Sequence, residues 1–400
     1  MDECRRLCAL ECLNNDTLIA VLAACHSFSD LDSLIQSSPI ILRAFLSAKA
    51  AILLRVVSNI LGPATRDAAL LAQASQFDVD YRECDIDAVV QDYRARLRIT
   101  TAPWVTTLDA KTAVVLTRVT RLAQFFVHLF CYSRFRFFAQ ELNSTQSIPP
   151  SLVSHLTPTE HCRIAKAILR RQLIVLFHGG KYGEPQDHPR FVKAVFSLFQ
   201  PWESEQISDL DHFLGTLLGS MKSYQMSRRG PNGERESVYP EYWSRNYYPD
   251  LAAIAEKFKS LLTSDSSLFE HLCQVGEVLR GRIYPYHGLF KIFVGSHYLT
   301  TTPTPSSAAA GFDQEMELSS QPWAWKDALG ERETCRWGCD LVRKPPPDSP
   351  NQQEYEEVKE ALASWRWFGM IFWDQERAEQ LKQLNALKLC KSGWLIPWQD

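Results

Sequence analysis

Several features that would name a chemistry are missing from this sequence. It has no G-x-S-x-G, so the strand-to-helix elbow that presents an α/β-hydrolase nucleophile is absent. His178-Gly179-Gly180 resembles an oxyanion-hole motif, but it follows a helical pattern and is read as a helix end. No G-K-[ST] occurs, which excludes a phosphate-cradling P-loop. Neither sign of charge dominates. The 43 Lys and Arg stand against 46 Asp and Glu, a formal net charge of -3, so no bulk pull toward nucleic acid or an anionic membrane is expected. Long apolar runs are missing too. The most apolar stretch, 112–142, is broken by Arg118, Arg121, Arg134 and Arg136, and its uncharged run between Arg121 and Arg134 is 12 residues. A membrane span needs about 20, so a buried helix is predicted there. The N-terminus carries Asp2, Glu3, Arg5, Arg6 and Glu11 and lacks the apolar core of a signal peptide. Eleven cysteines in that context predict reduced thiols and a cytoplasmic or nuclear protein.

What is present is helical. Hydrophobic residues make up 46% and charged residues 22% of the chain, a composition with ample core. The apolar spacing predicts an all-α protein, mainly helical with irregular loops. Residues 1–63 form a three-helix segment, 64–299 a helical body, and 300–322 a low-complexity loop. Residues 323–400 are a Trp-rich helical part, holding eight of the eleven Trp and packing on the body. A helix from about 108 to 142 carries Val114, Val119, Leu122, Phe126 and Phe130 on most faces and is expected to be the packing axis. Thr157-Pro158-Thr159-Glu160 predicts a helix start. Thr157 can cap, Pro158 suits the first helical position, and Glu160 can reach back to the cap.

The metal and catalytic candidates are thin. Cys4, Cys8 and Cys12 share a helix face without a matching His, and read as small apolar packing. Cys335 and Cys339 have no second close pair. His128, His161 and His178 lie on or beside helices, and Cys162 is no dyad with His161, because adjacent helical residues point about 100° apart. No nucleophile, base and orienter converge, so no enzyme activity, metal or cofactor is predicted.

The N-terminal stretch 13–61 is the segment that suggests a partner. Asn14, Asn15 or Asp16 can cap a first helix carrying Leu18, Val21 and Leu22. Ser27 to Asp30 opens a second helix with Leu31, Leu34 and Ile35, which Ser38-Pro39 ends. A third is expected through Ile41, Phe45, Ala48, Ile52 and Val56 to Gly62-Pro63. This arrangement resembles an F-box, the helical module that docks on the Skp-type linker of SCF ubiquitin ligases. Leu13 stands at the family's leucine, Asp16 at its acidic position, Leu18 and Ile19 at its paired aliphatics, and Asp30-Leu31 with Leu34 at its second helix. Asn14 replaces the family's proline, and its Cys-Arg-x-Trp region has no counterpart. With the Thr157–Glu160 cap, Phe199-Gln200-Pro201-Trp202-Glu203 and Trp367 to Asp374, the chain is similar to fungal proteins with F-box-like N-termini. The resemblance implies a non-enzymatic, substrate-adaptor role, with Leu13, Asp16, Leu18, Ile19, Leu22, Leu31 and Leu34 on the linker and an unknown protein as target. The bare apolar periodicity allows another outcome, in which these helices are buried as a structural cap.

Overall fold

A computed structural model describes residues 10–75, 109–143, 156–177, 251–264, 369–383, 387–389 and 395–397, with single positions between 91 and 95 and between 198 and 221. The described chain is mainly helical, and it falls into two compact units. One comprises Met1–Val79 and Ala95–Gln124, the other Asp80–Arg94 and Phe125–Asp400.

The first unit opens with four helices where three are predicted: α1 Asn15–Ala23, α2 Phe28–Ser37, α3 Pro39–Ser47 and α4 Lys49–Leu61. The expected single third helix is two, broken at Ala48. There the backbone leaves the helical region (φ -134°, ψ 28°), and the Ala48 N–H turns back to the Phe45 carbonyl. The Ser47 hydroxyl donates to the Ala44 carbonyl at 2.8 Å, a local bond that competes with helix continuation. The break lets α1 pack on both α3 and α4, while α2 packs on α3. A 3-10 turn, Gly62–Ala64, leads into α5 Thr65–Ala74. Gly62 makes that corner at φ +53°, a conformation that costs glycine little.

The starts of the first three helices follow sequence logic. Asn14 accepts from the Thr17 N–H at 2.8 Å, Ser27 from Asp30 at 3.0 Å, and Ser38 from Ile40 at 3.1 Å. The end of α1 is held from afar, because the Asn59 side chain of α4 donates to the Ala23 and Cys25 carbonyls at 2.9 and 3.0 Å. That satisfies two groups a helix terminus leaves unpaired.

The long helix α6 runs Ala110–Asn143, close to the prediction. It contributes residues up to Gln124 to the first unit and from Phe125 to the second. By length and composition alone, Ala110–Arg134 would suffice to cross a membrane. Its pattern is more ordered than apolar all round. Ala113, Leu116, Thr120, Ala123, Val127 and Phe130 are buried at helical spacing, whereas Lys111, Arg118, Arg121, His128 and Tyr132 are exposed.

In the second unit, α7 spans Pro158–Phe177. The predicted capping box is present. Thr157 N donates to Glu160 Oε2 at 3.0 Å and Glu160 N to Thr157 Oγ1 at 3.2 Å. Helix α8, Leu251–Ser264, begins where the Leu251 N–H meets the Gln172 side chain at 2.8 Å. A short turn, Met370–Phe372, precedes α9, Gln375–Gln383. The all-helical expectation for the C-terminal part needs one amendment: Leu387–Leu389 pairs antiparallel with Leu395–Pro397. Aromatic rings fill the core, with Phe130 edge-on to Phe213 and Phe372 at centroid distances of 5.1 and 5.3 Å. The 178–180 glycine end, the low-complexity loop at 300–322, and Cys335 and Cys339 lie outside the described residues.

Candidate functional site

The seven residues assigned to a partner divide by burial. Leu18, Leu22 and Leu31 are 1–2% exposed and belong to the first unit's own core. Ile19 and Leu34 are half-buried. Leu13 and Asp16 are exposed, Leu13 at 37%. The packing explains the division. Leu18 and Leu22 are the buried residues of α1, the helix that lies on α3 and α4. Fully burying a leucine is worth about 1.5–3 kcal/mol, so these side chains are accounted for by folding.

The structure leaves other leucines in water. On α3, Ile41, Ala44 and Phe45 face inward, and Pro39, Leu42, Arg43, Leu46 and Ser47 form the outer stripe. Leu42 is 39% exposed and Leu46 is 59%. They sit four residues apart and so neighbour one another along the helix. Neither is among the partner residues that the sequence suggests. A signal existed, since each falls off the Ile41–Phe45 stripe while being as apolar as the residues on it.

The charges of this unit are segregated. No Asp or Glu occurs between Asp32 and Asp67. Within that stretch Arg43, Lys49 and Arg55 are exposed. The exposed acids of the helices before it are Asp16, Asp30 and Asp32, and Asp32 is paired with Arg121 at 2.8 Å. Arg121 also lies over the Phe28 ring, 5.0 Å from its centroid.

Among the described residues, the densest polar cluster lies in the second unit. Glu160, fully buried, accepts from Arg377 Nε at 2.7 Å and Arg377 Nη2 at 2.6 Å. It also accepts the backbone N–H groups of Thr157 and Asp374, each at 3.0 Å. Arg163 Nη1 donates to the Phe372 carbonyl at 2.9 Å and Asp374 Oδ1 at 2.7 Å, and the Thr157 hydroxyl donates to Asp374 Oδ2. Gln206 Nε2 holds the Ile371 carbonyl at 3.1 Å. These charge-assisted bonds fasten the segment around Trp373 to α7. Two further arginines of α7 are paired, Arg170 with Glu203 at 2.5 Å and Arg171 with Asp211 at 3.1 Å.

Burial shifts two titratable groups beside this cluster. Burial pushes the Cys131 thiol up to about 12, with the charge of Glu160 adding to the effect and Arg377 opposing it. It stays protonated and unreactive at neutral pH. Burial, followed by the nearby His128, draws the His161 imidazole below its ordinary value, so it is neutral at pH 7. Cys162 is a half-buried thiol in no disulfide. Among the described residues no group of three or more His, Cys, Asp or Glu side chains could hold a metal ion. No family model, curated protein or solved structure matches this chain.

Proposed function

We propose that this is a non-enzymatic protein-interaction protein whose N-terminal unit serves as an F-box-like substrate adaptor of an SCF-type ubiquitin ligase, in the cytoplasm or nucleus. The observation that carries the reading is the set of helix boundaries in 13–61. Three short helices follow Asn14, Ser27 and Ser38-Pro39, the register in which Leu13, Asp16, Leu18 and Asp30-Leu31 resemble the module. The buried leucines then build the module's core, and the exposed Leu13 and Asp16 with the half-buried Ile19 and Leu34 are left at its rim. The second unit would hold the target protein, bringing it within reach of ubiquitin transfer without contributing chemistry.

Co-purification with a Skp-type linker tests the proposal. The wild-type chain is expected to retain the linker through gel filtration. A wild-type chain that melts cooperatively and retains none would overturn it. A second reading, a helical scaffold or accessory protein of a fungal pathway, is favoured by the burial of Leu18, Leu22 and Leu31, which makes those side chains structural. In that case the chain stays folded and ignores the linker at any concentration.

A further inference from the structure

Helix α3 carries the most exposed leucine among the described residues. Leu46 at 59% and Leu42 at 39% exposure stand together on the outer stripe, with Pro39 a turn earlier. Leaving two neighbouring leucines in water forgoes burial that a polar residue would not miss. Arg43 lies one turn before Leu46, and Lys49 follows directly after the helix. Both are exposed and, among the described residues, in no ion pair; the Arg43 side chain rests only on the Pro39 carbonyl at 3.3 Å. Arg55 adds a third exposed cation on α4, which packs on α3. The stretch from Ser33 to Arg66 offers no carboxylate to answer them.

From this we infer that the outer stripe of α3 is a docking surface for a protein partner presenting an apolar socket edged with Asp and Glu side chains. Leu42 and Leu46 would fill the socket, and Arg43, Lys49 and Arg55 would meet its acidic edge. The division of labour is the usual one, with desolvated apolar anchors supplying affinity and rim charges supplying orientation and association rate. An acidic partner also suits the chain's internal segregation. Asp16 and Asp30, exposed on α1 and α2, would repel a socket approached from their side and direct it to α3. The inference rests on the adaptor reading and moves its contact from the first two helices to the third.

The probe is a purified Skp-type linker titrated into the full chain by calorimetry. Leu46→Asp and the pair Arg43→Glu/Lys49→Glu alter exposed side chains, so both variants are expected to melt with the wild type. Each is expected to weaken the linker about tenfold or more. Binding by the Arg/Lys variant should also lose the salt dependence of the wild type. Leu13→Asp/Asp16→Lys, at the other exposed rim, is the comparison. If that variant loses the linker and both α3 variants keep it, the α3 inference falls and the adaptor reading stands. If the wild type binds no linker, the adaptor reading falls and this inference with it. Leu46-dependent adsorption to vesicles containing phosphatidylserine, with no linker binding, would make the occupant a lipid surface and overturn the proposal.

Discussion

Glu160 shows how much a single residue can carry. It has no exposed surface and accepts four hydrogen bonds, two of them from the guanidinium of Arg377, which is 217 residues away in the chain. Such a pair is costly to bury and costlier to break, because removing one charge strands the other in a low-dielectric interior. Glu160→Gln is therefore expected to destabilise the second unit by about 3–5 kcal/mol, measured by urea unfolding with tryptophan fluorescence. Trp373, fully buried beside the clamp, is the natural reporter. A loss under about 1 kcal/mol would mean that the ion pair contributes no more than an exposed one. The capping role of Glu160 was legible in the sequence, because it needs only the three-residue spacing from Thr157. The clamp was not, since Asp374 and Arg377 reach Glu160 only once the chain has folded.

At the scale of elements, helix starts were readable and one helix break was not. The caps at Asn14, Ser27, Ser38 and Thr157 act within two or three residues, so the local sequence contains the whole interaction. Ile41, Phe45, Ala48, Ile52 and Val56 keep a helical period straight through Ala48, and nothing in that period announces a stop. The break goes with α1 packing on both α3 and α4, contacts between residues far apart in the chain. The turn before α9 has a comparable constraint. Gly369 sits at φ +76°, and a Cβ added there would lie 3.0 Å from two atoms of the Phe130 ring. Gly369→Ala should cost about 1–3 kcal/mol from the backbone alone, with the ring contact adding to it. Gly62→Ala, at φ +53° with nothing within 4 Å, should cost only the backbone share. Chemical denaturation of the two variants gives the comparison; equal losses would remove the role assigned to Phe130.

For the molecule as a whole, the buried and the exposed leucines of the first unit should respond differently to a charge. Leu18 and Leu22 are core, so Leu18→Asp/Leu22→Asp should unfold that unit by placing carboxylates without partners in an apolar interior. Leu46→Asp should leave its melting unchanged. Circular dichroism melts of both variants distinguish them, and a double variant that melts like the wild type would contradict the burial assigned here. Any loss of partner binding in the double variant reports unfolding, so the exposed leucine is the informative position. Residues 64–74 illustrate the same scale in another way. They read as the start of the body, yet α5 follows α4 through the Gly62 corner and belongs with the first unit.

The sequence by itself determined the helical character, the long α6, the capped start of α7 and most boundaries within 13–61. These rest on periodicity and on bonds between residues two to four apart, which survive in any surrounding fold. Only the tertiary structure decided which leucines are spent on the core. Leu18, Leu22, Leu42 and Leu46 are chemically the same residue. What separates them is whether another helix lies against them, and that depends on how α1 packs on α3 and α4.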